Sequence, residues 1–299
     1  MSKLVLIDGN AILHRAYHAL PPLTTKKREP INAVYGFISM LLRVIQDLKP
    51  THMAVAFDRK EPTFRHEEYE AYQAHRPEAD KELISQFEKA REAISAFGIP
   101  IYDKAGYEAD DVIGTLAKQA EKKLEEIVIV TGDRDILQLV TDKTKVYLPI
   151  RGLSDAKLMG EEDVVEKMGV KPEQIDDYKA LVGDPSDNYP GVPGIGPKTA
   201  TKLLLEHGTV ENIYKNLGKI LESTAKKLKE GEDLAKISQR LAEIVTNVPV
   251  KLDIEDADDW GIGRKEVLDL FTKFGFKALA KRVKKVAEEM EKEKQMQLL

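Results

Sequence analysis

Apolar residues along the chain fall first into short runs and later into helical spacing. Residues 4–7, 53–57 and 127–131 are short apolar, β-branched stretches that read as strands; 145–148 is a weaker fourth and 99–103 a short extended run. Between them, residues 31–48, 81–97 and 109–124 carry apolar side chains at three- and four-residue intervals, the period of a helix with one buried face. The second of these closes on Gly98 and the first stops ahead of Pro50, both ordinary helix endings. Strand and helix in alternation predict an α/β fold with a mostly parallel sheet and flanking crossover helices. From residue 160 the pattern is helical alone, over 161–168, 172–181, 197–206, 210–216, 220–229 and 234–245. No flexible linker marks the change, so the helical part is expected to pack on the sheet. The Lys- and Glu-rich run 281–294 reads as a solvated terminal helix.

Three strands deliver an aspartate to one edge: Asp8, Asp58 and Asp133 each follow an apolar run. The carboxyl edge of an open α/β sheet is where ligands bind. Tyr107-Glu-Ala-Asp-Asp111 adds Glu108, Asp110 and Asp111 at a helix start, with Glu108 and Asp111 on one face. Thr131-Gly-Asp-Arg-Asp135 adds Asp135, two residues from Asp133; in extended chain that spacing points both carboxylates the same way. Gly183-Asp-Pro-Ser-Asp-Asn188 adds Asp184 and Asp187 in a turn. These nine carboxylates are candidates for a single pocket. Like charges brought together raise one another's pKa and destabilise the site unless a cation neutralises them. Oxygen ligands without His or Cys select hard ions, Mg²⁺ or Mn²⁺, and acidic sets of this kind suit phosphoryl chemistry on two ions about 3.5–4 Å apart. His14 and His18 lack ligand spacing, as do the other histidines.

Composition adds exclusions. At 299 residues and 42% hydrophobic, the chain can bury a core as one large domain or two smaller ones. No apolar run approaches the roughly 18–20 residues needed to span a bilayer, and the first residues read as an opening strand without the cleavage pattern of a signal peptide. The absence of cysteine excludes disulfides and thiolate metal sites. A cytoplasmic location is expected. The net charge of −5 is uneven: residues 191–299 hold 20 Lys and Arg against 18 Asp and Glu, leaving 26 against 33 in residues 1–190. The acidic excess lies with the carboxylates, and two divalent ions would largely offset it.

Gly191-Val-Pro-Gly-Ile-Gly-Pro-Lys-Thr-Ala200 is the second chemical motif. It is not a P-loop, since Pro197 separates Gly196 from Lys198 and Thr199 and no strand precedes it. Its context is helix, glycine hairpin, helix. The N–H groups of Gly196 and of Lys198 to Ala200 at a helix start suit a phosphate, which fixes position on DNA without reading sequence. Residues 59–80 are too long for a simple connection and mix Arg65 and Arg76 with Tyr69 and Tyr72, a pattern that fits single-stranded nucleic acid. Residues 20–30 form a further basic loop.

Together these blocks resemble the bacterial 5′-nuclease (flap endonuclease) family, most closely the 5′→3′ exonuclease domain of DNA polymerase I. The matching motifs are Leu6-Ile-Asp-Gly9, Asn32-Ala-Val-Tyr-Gly36, Ala56-Phe-Asp58, Thr63-Phe-Arg-His66, the acidic blocks at 107–111, 131–135 and 183–188, and residues 191–200. They run in the family's order over about residues 1–280. The resemblance implies a PIN-like core at 1–182 with a helical arch at 59–80, then a helical region at 183–299 holding a helix–hairpin–helix module at 189–206. It implies that Asp8, Asp58, Glu108, Asp110, Asp111, Asp133, Asp135, Asp184 and Asp187 hold two Mg²⁺, with Mn²⁺ able to substitute, and that a K⁺ sits on carbonyls of Val192 to Gly196. Catalysis would rest on Asp8, Asp58, Arg65, Gln73, Arg76, Asp133 and Asp184. DNA would meet Arg65, Tyr72, Gln73, Arg76, Val192, Gly194, Ile195, Gly196, Lys198 and Thr199.

The implied function is a structure-specific 5′ nuclease of replication and repair, acting as a monomer on flapped or nicked DNA at the nucleoid beside a DNA polymerase, with no membrane partner. Two departures stand out. Gln73 replaces the lysine usual after the arch tyrosine, which predicts a slower enzyme. The chain also carries no polymerase domain, so it reads as a stand-alone homologue or an excised domain. A DNA-junction binding protein with decayed catalysis and a PIN-type ribonuclease remain the alternatives.

Overall fold

The computed structural model describes residues 2–151 and 155–297. In chain order the elements are β1 (Lys3–Asp8), α1 (Gly9–Ala19), α2 (Asn32–Leu48), β2 (His52–Ala56), α3 (Phe64–Glu68), α4 (Lys81–Ala96), β3 (Ile101–Tyr102), α5 (Ala109–Ala120), β4 (Glu126–Val130), β5 (Thr144–Arg151) and β6 (Asp155–Met159). There follow α6 (Glu161–Met168), α7 (Ile175–Val182), α8 (Pro197–His207), α9 (Val210–Lys215), α10 (Glu222–Glu230), α11 (Glu232–Ala242), α12 (Ile254–Asp258), α13 (Lys265–Phe274) and α14 (Lys277–Gln297). No helix among the described residues is long and apolar enough to cross a membrane.

The six strands form one sheet in the order β3-β2-β1-β4-β5-β6, parallel except for the β5–β6 hairpin. Side chains alternate across it. Leu4, Leu6, Ala54, Ala56, Ile127 and Ile129 face a core built with α5 and the helical region, through Leu181, Leu204 and Leu228. Val5, Ile7, Met53, Val55, Val128 and Val130 face a second core built with α2, α4, α13 and α14. Burial on both faces explains why the strand runs are continuously apolar and not alternating. The chain runs outward from β1 through β2 to β3, then returns to β4 on the other side of β1. That reversal opens a crevice at the carboxyl ends of β1 and β4, the switch point where ligands bind in such sheets.

Several expectations change. The strand β6 and the helices α1, α12 and α13 had no counterpart in the sequence reading, and residues 172–181 split into a 3₁₀ turn, Pro172–Gln174, and α7. The run 281–294 is not simply solvated. It lies in α14, where Leu279, Val283 and Val286 are buried in the second core. Their helical spacing was hidden by the flanking charges. The helical part packs on both faces of the sheet, with Ile244 to Ala257 on one and Ile262 to Val286 on the other.

Candidate active site

A cavity of about 940 Å³ lies over the carboxyl ends of the central strands and is lined by Asp8, Asp58, Glu108, Asp110, Asp133, Asp135, Asp184 and Asp187. Each owes its position to local chain geometry. Asp8 ends β1 and caps α1, accepting from Ala11 N at 2.9 Å and from Thr131 Oγ1 at 2.7 Å. Asp58 accepts from Ala109 N at 2.7 Å, at the start of α5. Asp133 N donates to Thr131 Oγ1 at 3.0 Å and Asp133 Oδ1 accepts from Asp135 N at 2.8 Å. The chain there is a tight turn into a 3₁₀ segment, not the extended run expected, yet both aspartates line the cavity. Asp184 and Tyr189 bridge the ends of the 184–189 turn, through N···O contacts of 2.9 and 3.1 Å. The turn closes on two crossing backbones: a Cβ on Gly191 (φ +62°) would fall 2.2 Å from Gly183 N, so no other residue fits.

Burial and mutual repulsion show in the titration of these groups. Burial, with Asp58 and Asp133 adding to it, raises Asp8 from 3.8 to about 7. Glu108 rises from 4.5 to about 7 chiefly by burial, against the pull of Arg65. Asp110 is pushed well up by burial and by Asp133, Asp8 and Asp58. Asp135 reaches about 6 through burial, although Lys179 opposes it. Asp184 is the exception: burial raises it, but Lys179 and Ser186 outweigh that, and its net shift is downward.

Whether these residues fit divalent ions is answered by donor chemistry and by one orphan atom. The donors are all oxygen, as Mg²⁺ or Mn²⁺ prefers. Carboxylate oxygens of Asp135, Asp184 and Asp187 lie within 4.8 Å of one another. The Tyr189 hydroxyl, among the groups acting electrostatically with this triad, is buried without a hydrogen-bond partner among the described residues. A cation is already drawn to the triad: Lys179 Nζ bonds Asp184 Oδ2 at 2.6 Å and also Asp135 Oδ2. The residues fit the metal.

Asp8 and Glu108 have raised folded values, so their stabilising contribution is complete below about pH 4 and is lost as pH rises through about 7. A divalent ion binding there would have to displace those protons, and would relieve the repulsion that remains once they are gone. The rise in melting temperature on adding Mg²⁺ is therefore expected to be larger at pH 8 than at pH 5.5. Equal shifts in differential scanning fluorimetry at both pH values would contradict it.

Four expected roles are corrected. Asp111 is fully buried beneath the cavity; its oxygens take Arg65 Nη1 at 2.7 Å, Arg65 Nη2 at 2.9 Å, Val245 N at 2.8 Å and Glu108 N at 3.1 Å, leaving it unsuited to a metal. Arg65 is buried with it and also donates to the carbonyls of Leu241 and Glu243, at 2.9 and 2.7 Å, so its guanidinium is committed to the fold and not to phosphate. The Tyr72 ring is sealed, stacked on Tyr189 at 6.5 Å, and only its hydroxyl reaches the site, 3.3 Å from Glu108 Oε2. Gln73 lines the cavity, but its amide is already held by Asp187: its Nε2 bonds Oδ1 at 3.0 Å and its N–H bonds the carbonyl at 2.9 Å. The left-handed backbone at Gln73 (φ +54°) is a strain that these paired contacts offset. In segment 59–80 only α3 is helical, and Arg76 lines the cavity 3.3 Å from Gln73 Oε1.

The sequence reading missed Lys179 and Tyr189. A lysine in an amphipathic helix carries no signal in isolation; its five-residue lead on Asp184, one helical turn and a bend, was the only available hint. At the hairpin, Val192 and Ile195 are buried, so their side chains anchor it and only backbone is left for a ligand. Ala200 N donates to Gly196 O at 3.0 Å, which leaves Lys198 and Thr199 N–H as the open donors of α8.

Comparison with known proteins agrees with this architecture. Residues 3–169 match the family model of the 5'-3' exonuclease N-terminal, resolvase-like domain, and residues 170–259 match the 5'-3' exonuclease C-terminal SAM fold. DNA polymerase I of Bacillus subtilis (strain 168) is 42% identical over 296 residues, covering 99% of this chain and 34% of that protein. DNA polymerase I of Bacillus caldotenax is 43% identical over 291 residues, covering 97% and 33%. The chain thus spans about a third of the length of the curated relatives it matches. Among solved structures, the bacteriophage T5 flap endonuclease in a complex with DNA and metal ions superposes with a TM-score of 0.68 at 21% identity, covering 96% of this chain and 98% of the other. The Rad2 catalytic core with DNA substrate gives 0.56 at 17%, covering 95% and 92%. With the acidic cavity at the switch point of a mostly parallel sheet and the two family models matched consecutively over residues 3–259, the chain belongs to the 5'-3' exonuclease family.

Proposed function

We propose that the chain is a structure-specific 5′ nuclease that hydrolyses DNA phosphodiesters at flaps and nicks, leaving 5′-phosphate and 3′-hydroxyl ends. The single observation that carries this is the convergence of eight carboxylates from five chain segments on one cavity. Two Mg²⁺, with Mn²⁺ as a substitute, would be held by Asp8, Asp58, Glu108, Asp110 and Asp133 on one side and by Asp135, Asp184 and Asp187 on the other. When bound, such ions supply an activated water and a counter-charge for the leaving oxygen. The chain's own residues do the remaining work. Arg76 and Lys60, both lining the cavity, attract the phosphate. Lys179 keeps Asp135 and Asp184 ionised and fixes their orientation. The Lys198 and Thr199 amides at the start of α8 take a duplex phosphate, so the cut is set by distance from the duplex and not by base sequence.

The test is cleavage of a labelled 5′-flap duplex in Mg²⁺, Mn²⁺ or EDTA, beside an RNA flap of the same length. DNA cleavage confined to the two metals is expected; preference for the RNA flap would favour a ribonuclease. Gln73 is the one observation that favours a binding protein with decayed catalysis. Restoring a cation there with Gln73→Lys is expected to raise the flap-cleavage rate at least about tenfold. An unchanged rate would mean that Arg76 already supplies the charge.

A further inference from the structure

The resemblance calls for a K⁺ on the carbonyls of Val192 to Gly196, but a different cation is found there. Lys227 Nζ, from the last turn of α10, donates to the carbonyl oxygen of Gly194 at 3.2 Å. Its stem lies against the same residue: a Cβ on Gly194 would come 3.2 Å from both Cε and Nζ of Lys227. The backbone of Lys227 is fixed in place by its neighbours. Leu228 is fully buried and its carbonyl accepts from Tyr214 Oη at 3.1 Å. Lys227 O accepts from Gly231 N at 2.9 Å, and Gly231 packs so closely that a Cβ there would fall 2.9 Å from Val192 Cγ1. The end of α10 is therefore built onto the hairpin and does not merely hang near it.

An ammonium and K⁺ share a charge and a similar size, and both accept loose coordination by carbonyl oxygen. A K⁺ seated on the Gly194 carbonyl would lie against the Lys227 ammonium, where two like charges repel. We propose that Lys227 is the resident cation of the hairpin, filling the place of K⁺ and making the hairpin independent of that ion. Its consequence for DNA, though not the occupancy itself, rests on the hairpin being a phosphate contact. The ammonium then lends its charge to the phosphate site at the start of α8 without an exchangeable ion.

The occupancy is tested without DNA, by ²⁰⁵Tl⁺ NMR on the full chain as wild type and as Lys227→Met, with circular dichroism as a check on folding. Wild type is expected to show no bound Tl⁺ that K⁺ displaces, and the variant to show it. A K⁺-displaceable signal in wild type overturns the proposal, and so does its absence from both proteins. Lys227→Arg, which keeps the charge, is expected to behave as wild type and serves if the methionine variant misfolds; a K⁺ site in it would also count against the proposal. A second arm measures flap-duplex affinity in EDTA with NaCl or KCl at equal concentration. Wild type is expected to bind equally in both, while Lys227→Met binds about fivefold more weakly in NaCl and recovers in KCl. An equal loss in both salts would make Lys227 an ordinary phosphate contact and sink the idea. Wild type that binds no DNA in either salt would instead defeat the proposed function, with the Tl⁺ result still deciding this one.

Discussion

Asp110→Asn is expected to lower flap cleavage by about 10²–10³-fold and, in the same protein, to raise the melting temperature in EDTA. Asp110 lies in the first turn of α5, facing the cavity with Asp8, Asp58 and Asp133, and no described residue gives it a hydrogen bond or an ion pair. Burial and those three neighbours push its pKa well up, so ionising it at neutral pH costs the fold free energy. The neutral amide removes that cost. Each 1 kcal/mol recovered is worth about 2–4 °C in a chain of this size. Asp184→Asn should lose activity to a similar degree with the opposite sign in stability. Its carboxylate pairs with the buried Lys179, and removing one partner of such a pair strands the other charge. The same loss of function with opposite thermal shifts is the signature sought by fluorimetry in EDTA beside the flap assay. A fall in melting temperature for both variants would mean that Asp110 has a stabilising partner and the repulsion argument is wrong.

Arg65→Met is expected to cost about 3–5 kcal/mol of stability, measured by urea unfolding. Arg65 is 2% exposed, and its guanidinium bonds both Asp111 oxygens and the carbonyls of Leu241 and Glu243 and lies 3.3 Å from Glu108 Oε2. It thereby ties α3 and α5 to the end of α11. Deleting it leaves the buried Asp111 side chain with Val245 N and Glu108 N as its remaining donors. The double variant Arg65→Met/Asp111→Leu should recover a large part of the loss, because the stranded charge goes with its partner. If Arg65→Met unfolds like wild type and still loses cleavage, Arg65 acts on the phosphate and its structural assignment fails.

Much of the fold was legible because local rules and tertiary demands coincide. Buried parallel strands must be apolar throughout, and residues 4–7, 53–57 and 127–131 announce themselves that way. The strand β6 did not, since an edge strand paired on one side needs only a short alternating pattern. The stripe of α14 was masked because Lys and Glu outnumber Leu279, Val283 and Val286 around it. At the site, eight of the nine carboxylates line one cavity, as strand ends and turns are local features that the sheet then gathers.

By itself the sequence determined the alternating architecture, the strand-end aspartates, the acidic turn at Asp184 and Asp187 and the glycine hairpin, because each follows from periodicity or from backbone limits within a few residues. Only the tertiary structure decided which charges face the cavity and which neutralise one another. Asp110 and Asp111 are adjacent in the chain, yet one helical step of about 100° sends the first among carboxylates and the second onto Arg65. In the same way Lys179 and Lys227 are unremarkable as letters, and each gains a partner only when a distant turn folds against its helix. Charge pairing is set by distance in space, which periodicity cannot supply.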